Sequence, residues 1–319
     1  DRNSIRRELC RRRYRTQMTR VVAFNGLINR FFQVDFKIPN WKILNFDDPD
    51  KHNADCYFQI NVKKRKSQHM EEYDFITASG KPVLVCESNL FRKNSYSVHY
   101  PDKCYYRLGW EHFLRSGNFN NADSPPDRWN HIQKLQNIEI KPWQQRDGHV
   151  LLCLQKPGDS TLNSLYQKYN TYEAWIAHAV EQIKLYSDAP IMIRPHLKTK
   201  KINFNKFIGK NITLSETWNQ RTVYEGGAGL QKDLDAACAV VGYNSNALVE
   251  STCEGIPTFP LSDESVVWDI SNRIENLSNP ALDIDRTQWL HNAAYMIWNM
   301  NELNNGTAWN HLKGVYFDD

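Results

Sequence analysis

The chain has 319 residues, 41% of them hydrophobic and 12% aromatic, a composition that supports one or two packed cores and excludes a wholly disordered protein. Its formal net charge of +4 is small for this length but unevenly spread. No apolar run approaches the roughly 20 residues of a membrane-spanning helix, and the arginine-rich first segment lacks the apolar core of a signal peptide, so the expected compartment is the cytoplasm.

Seven cysteines, at 10, 56, 86, 104, 153, 238 and 253, stand singly without metal-ligand pair spacing. Several fall inside apolar strand patterns, as reduced, buried thiols do. In chain order, residues 4–18 have the spacing of a helix, and Arg6, Arg7, Arg11, Arg12, Arg13 and Arg15 crowd it with positive charge. Lys63-Lys64-Arg65-Lys66 and Lys198-Thr199-Lys200-Lys201 form two further basic clusters, each a candidate footprint for a polyanion or a solvated face. Residues 21–24 predict a first strand, closed by Asn25-Gly26; too few glycines follow for a dinucleotide fingerprint, which argues against a nicotinamide enzyme.

Residues 41–46 predict a strand leading into Asp47-Asp48-Pro49-Asp50, and residues 56–62 another. A helix over 68–78 and a strand over 82–86 follow, the latter leading into Glu87-Ser88-Asn89. Strands alternating with helices predict a mostly parallel α/β sheet. Residues 92–146 lack periodicity and are rich in aromatics, Asn and Pro, which suits a loop-rich, acceptor-side insertion. A fresh start at His149 gives the strand 150–154, the polar loop 155–161 and a helix with Tyr172, Ile176, Ala179, Ile183 and Tyr186 on one face. The predicted organisation is therefore two nucleotide-fold (Rossmann-like) domains, 1–148 and 149–319, facing a cleft, with terminal helices crossing back onto the first. Leu290, Ala293, Ile297 and Met300 supply the helical spacing of that tail.

Two stretches in the second half carry the chemistry. Residues 190–193 form a short apolar strand followed by Arg194-Pro195-His196; residues 239–241 form another, followed by Asn244-Ser245-Asn246, a helix containing Glu250, and Gly255-Ile256-Pro257. Strand-end turns of this kind bind anions, because backbone N–H groups and small polar side chains converge there. The pair of motifs, in this order, resembles the donor-binding half of the GT-B glycosyltransferases. Within that class it is similar to the capsule-polysaccharide and sialyltransferase-like groups, which carry His-Pro after one strand and Ser-Ser after a later one. Here the first motif is reversed, Pro195-His196, and Ser245 stands between two asparagines.

The resemblance implies a nucleotide-sugar donor of UDP or CMP type; Asp47-Asp48-Pro49-Asp50, the nearest approach to the Asp-x-Asp of metal-dependent transferases, reads as a simple acidic turn, so no obligatory metal or other cofactor is expected. Lys156, Ser160, Thr161, Arg194, His196, Asn244, Ser245 and Asn246 would hold its phosphates, and Glu250 its ribose. The base for the acceptor hydroxyl would be Glu87, Asp48 or Asp159, each after a strand, with nothing in the sequence to choose among them. For the acceptor, the N-terminal arginines with Trp110, Phe119 and Trp129 suit DNA and an extruded base, and loop style and composition are similar to phage transferases that decorate modified pyrimidines. Such an enzyme would work in the host cytoplasm. A surface polysaccharide is the competing acceptor, and a non-catalytic nucleic-acid-binding protein the competing class.

Overall fold

A computed structural model describes residues 19–23, 41–63, 69–91, 99–199, 202–218 and 228–317. The predicted N-terminal helix with its six arginines, the Asn25-Gly26 turn, Lys64 to Lys66, Lys200 and Lys201 lie outside these residues. The described strands are β1 (Thr19–Ala23), β2 (Trp41–Asn45), β3 (Cys56–Ile60), β4 (Val83–Ser88), β5 (Tyr105–Trp110), β6 (His149–Cys153), β7 (Ile191–Arg194), β8 (Ile212–Leu214), β9 (Ala237–Gly242), β10 (Thr258–Pro260) and β11 (Ile297–Asn299). The helices are α1 (Met70–Ser79), α2 (Asp127–Leu135), α3 (Asn163–Lys168), α4 (Tyr172–Tyr186), α5 (Ala228–Asp235), α6 (Ala247–Cys253), α7 (Thr287–Ala294), α8 (Met300–Asn304) and α9 (Thr307–Lys313). Among the described residues no helix is long and apolar enough to cross a membrane.

The chain divides into two units, the first drawing its described residues from 1–90, 96–129 and 290–319, the second from 91–95 and 130–289. The first unit is built on a six-stranded sheet of order β11-β5-β4-β3-β1-β2. Its strands β1 to β4 run parallel, while β5 is antiparallel to β4 and β11 antiparallel to β5. The second unit holds an all-parallel sheet of order β10-β9-β6-β7-β8. Both are Rossmann-like α/β arrangements, as the alternation of strands and helices predicts. The apolar runs explain the central strands: Val21, Val22, Leu84 and Val85 in one unit, and Leu151, Leu152, Val240 and Val241 in the other, are fully buried, as parallel strands covered on both faces must be.

Residues 92–146 are more ordered than their composition suggests, for Tyr105–Trp110 is a buried strand and Asp127–Leu135 a helix. Trp110, Phe119 and Trp129, the aromatics expected to stack on a base, are 0%, 3% and 4% exposed and pack in the core. Trp110 also donates its indole N–H to the Leu312 carbonyl at 2.8 Å, so its polar edge is satisfied internally.

The expected continuous helix through Leu290, Ala293, Ile297 and Met300 is broken. α7 ends at Ala294 and Ile297–Asn299 becomes the strand β11. Arg128 is the physical cause, because its Nε takes the Ala294 carbonyl at 2.8 Å and its Nη2 the Ile297 carbonyl at 2.5 Å, while the guanidinium pairs with Glu302 and lies 4.0 Å from the Trp298 ring centre. Asn299 and Glu302 then exchange side chain and backbone bonds in a capping box that restarts the helix as α8.

Candidate donor site at the strand ends of the second unit

In an open parallel sheet, ligands are bound beyond the carboxyl ends of the strands. β6 is central here, with Cys153 in register with Gly242 of β9 on one side and Arg194 of β7 on the other. Three loops therefore leave the same edge: 154–162 after β6, 195–199 after β7 and 243–246 after β9. They carry all the predicted donor-binding residues except Arg194, the last residue of β7, and Glu250 of α6.

The loops after β6 and β9 are tied together. The Gln155 amide nitrogen donates to Asn244 Oδ1 at 2.7 Å and to Thr161 Oγ1 at 2.8 Å, while Gln155 Oε1 accepts from the Asn244 backbone N–H at 3.1 Å. Asn244 Nδ2 in turn donates to the Thr161 carbonyl at 2.8 Å. Tyr172 from α4 anchors the centre, its hydroxyl donating to the Gln155 carbonyl at 2.6 Å and accepting the Gln155 N–H at 3.0 Å. Burial pushes this phenol well above its ordinary range, which keeps it a neutral donor. A second tie crosses the same edge where the Ser164 hydroxyl, 3.0 Å from the Tyr243 hydroxyl, donates to Glu264 Oε2 at 3.0 Å.

Several predicted residues shape these loops. Asp159 Oδ1 accepts from the Thr161 N–H at 3.1 Å and hydroxyl at 3.0 Å, capping the short turn Ser160–Leu162. Ser160 is 2% exposed and its hydroxyl has no hydrogen-bond partner among the described residues. Lys156 is exposed, and Ser245, half-buried, accepts from the Ala247 N–H at 3.2 Å. Asn246 accepts at its carbonyl from Val249 and Glu250, which starts α6, and Glu250 is buried in that two-turn helix. In the loop after β7, His196 is half-buried and its Nδ1 accepts from the Lys198 N–H at 3.1 Å. An Nδ1 that accepts leaves the proton of a neutral ring on Nε2.

Arg194 stands apart from the phosphate role expected of it. Its Nη1 pairs with Asp233 of α5 and donates to Thr217 Oγ1 at 2.8 Å and Ser215 Oγ at 3.1 Å. Ser215 donates to Asp233 Oδ2 at 2.6 Å, and Thr217 donates to the Gly229 carbonyl at 2.6 Å. This buried network fastens α5 and the segment after β8 to the end of β7. Cys153, beside Arg194, is held by burial at a thiol pKa of about 12 and is no nucleophile.

The other two base candidates lie in the first unit. Asp48 Oδ1 accepts from the Asp50 N–H at 2.8 Å, making it the cap of the turn Pro49–Asn53. Glu87 Oε1 accepts from the Ser88 N–H at 2.6 Å and hydroxyl at 2.8 Å. The strand order places β2 and β4 three positions apart, on the order of 14 Å, so Asp48 and Glu87 form no carboxylate pair. Among the described residues no group of three or more His, Cys, Asp or Glu side chains is placed to hold a metal ion.

Of Gln155, Tyr172 and Asp233, which do most of the fastening, the sequence reading assigns a role to Tyr172 alone, and that only as part of the apolar face of its helix. Gln155 has a recognisable sign: it is the first polar residue after the buried run 150–154, and a polar side chain at that place must find partners. Asp233 has none, since beside Leu230 and Leu234, which are spaced as on a helix, it reads as one more polar residue of a short helix.

No family model matches the sequence, and no curated protein does. Among solved structures the fold is similar to Thermosulfurimonas dismutans KpsC, a β-Kdo 2,4 transferase, at 10% identity and a TM-score of 0.50, covering 91% of this chain and 99% of that one. The β-Kdo 2,7 transferase of KpsC from the same organism aligns at 12% identity and a TM-score of 0.48, over 92% of this chain and 98% of that one. Methanocaldococcus jannaschii UDP-GlcNAc 2-epimerase, in complex with UDP-GlcNAc and UDP, aligns at 10% identity and 0.33, over 86% and 98%. At these identities the likeness is one of fold, and the fold is the pair of Rossmann-like units found in the GT-B glycosyltransferases.

Proposed function

We propose that this protein is a glycosyltransferase using a nucleotide-activated sugar, and that its acceptor is a saccharide. The observation that carries this reading is the strand-end edge of the second unit, where the loops after β6, β7 and β9 bring Lys156, Ser160, His196 and Ser245 to one side of one sheet. Their ammonium, two hydroxyls and imidazole N–H are hydrogen-bond donors suited to an oxygen-rich anion. The fold of a Kdo transferase supports the same chemistry.

In the reaction the bond from the anomeric carbon to the phosphate oxygen breaks, and its electron pair leaves with the nucleotide. The acceptor oxygen bonds to that carbon and gives its proton to a carboxylate. His196 Nε2–H, Ser160, Ser245 and Lys156 stabilise the departing phosphate without a divalent ion, while Arg194, Asn244 and Thr161 keep the loops in place and Glu250 is the ribose partner. Of the base candidates, Asp159 lies in the loops of this edge, while Asp48 and Glu87 belong to the first unit. A DNA acceptor was expected from six arginines outside the described residues and from three aromatics that are buried in the core, so the described surface gives it no support.

The test offers UDP- and CMP-sugars with either oligosaccharides or duplex DNA carrying hydroxymethylated pyrimidines. We expect sugar to enter the oligosaccharide, activity to persist in chelator, and His196→Ala to lower turnover by roughly 10²-fold. Labelling of DNA alone would move the acceptor to DNA. An absence of nucleotide release with every pairing would leave a non-catalytic binding protein.

A further inference from the structure

Gln155 is placed unlike any other polar residue of the strand-end edge. Both its backbone groups are held by one hydroxyl, that of Tyr172, and its side chain spends both amide hydrogens and its carbonyl across two loops. Neither loop is regular: residues 154–159 are held besides by the Leu154 N–H on the Arg194 carbonyl at 2.9 Å, the Gly158 N–H on the Tyr166 hydroxyl at 2.9 Å and a turn from Lys156 to Asp159, none of which reaches the loop after β9, and residues 243–246 reach α6 through turns. The segment that Gln155 fastens through Thr161 includes Ser160, whose buried hydroxyl has no partner among the described residues; the segment that it fastens through Asn244 includes Ser245.

We infer that Gln155 is a positioning residue that couples the loop after β6 to the loop after β9, so that the two bind a nucleotide as one preformed frame. The inference rests on the nucleotide-sugar reading for the identity of the ligand, and on the hydrogen bonds alone for the coupling. The physical argument is one of ordering. Two separate loops must each lose freedom when a ligand bridges them, and a frame closed beforehand has already lost it. A primary amide suits this position because it donates twice and accepts at once; a carboxylate of the same shape keeps the acceptor and forfeits both donations to Asn244 and Thr161. The two bonds to Asn244 are buried and the one to Thr161 is part-buried, so removing them leaves the Asn244 N–H and Oδ1 unsatisfied and loosens both loops together.

The test uses the full chain with Gln155→Met, of similar length, and Gln155→Glu, of similar shape. Amide hydrogen exchange is followed in segments 154–161 and 243–246, with α4 as internal reference, and affinity is measured for CMP and UDP as probes. We expect both loops to exchange about tenfold faster in both variants while α4 is unchanged, and the affinity for the nucleotide that the wild type prefers to fall about tenfold, which corresponds to roughly 1.4 kcal/mol. Faster exchange in one loop only, or in neither, overturns the coupling. Coupled loosening without loss of affinity overturns the preformed frame. If the wild type binds neither nucleotide, the nucleotide-sugar reading and the frame fall together, and the exchange data still decide the coupling. General unfolding would appear as faster exchange in α4, in which case Thr161→Val, which removes one bond of the set, must loosen residues 243–246 for the coupling to stand.

Discussion

His112 shows how one side chain can set a pH limit on stability. It sits largely buried near the cation of Arg107, and its Nδ1 accepts from the Leu114 N–H at 2.9 Å. Burial first, and the Arg107 charge second, lower its pKa from 6.5 to about 4. Between these values the unfolded chain binds a proton that the folded chain refuses, so stability is complete above pH 6.5 and is lost as pH falls toward 4. His149 and His311 are shifted the same way by burial and add to the slope. His112→Asn keeps an acceptor for Leu114 without a titrating ring. We expect its melting temperature to fall less steeply than that of the wild type between pH 6.5 and 4, as followed by calorimetry.

At the scale of elements, the Arg194 network decides whether α5 stays on the sheet. Asp233 is 5% exposed, and removal of one partner from such a pair strands the other charge in a low-dielectric interior, at a cost of about 3–5 kcal/mol. Arg194→Met should therefore destabilise the second unit by about that amount, while Arg194→Met with Asp233→Leu should recover part of the loss in urea denaturation. Close approach limits any shift: a Cβ on Gly229 would stand 2.8 Å from the Thr217 carbonyl, so α5 has no room to adjust inward. This element also marks where sequence reasoning stops. Strands β4, β6, β7 and β9 were legible as short apolar runs, and α4 from the 3.6-residue recurrence of its apolar face. β5 was hidden because Tyr105, Arg107 and Gly109 break the apolar pattern, although Arg107 is 2% exposed. β11 was hidden because its residues satisfy a helical spacing, and the groups that divert them into the sheet, Arg128 and the β5 edge, lie about 170 or more residues away in the chain. The loops at the strand-end edge of the second unit were legible as small polar residues after strands. The fastening of those loops was not, because Gln155 and Asn244 are 89 positions apart and meet only once the parallel sheet exists.

For the whole molecule, the chain order of the two units carries a consequence. The second unit is nearly continuous in sequence, from 130 to 289, whereas the sheet of the first unit is completed by Ile297–Asn299 pairing with Tyr105–Trp110. Contacts that span so many residues form late, since the intervening chain must first be closed into a loop. Pulse-labelled hydrogen exchange during refolding should find β6, β7 and β9 protected before β5, and simultaneous protection of all four would contradict that order. On the ribosome the delay is unavoidable, because β5 waits for nearly 190 residues to be synthesised before its outer neighbour exists. During that interval Tyr105–Trp110 presents an open row of backbone donors and acceptors, the kind of edge that recruits strands from other chains. A stalled or truncated product ending before Ile297 would keep that edge permanently, so self-association during synthesis is the hazard built into this chain order.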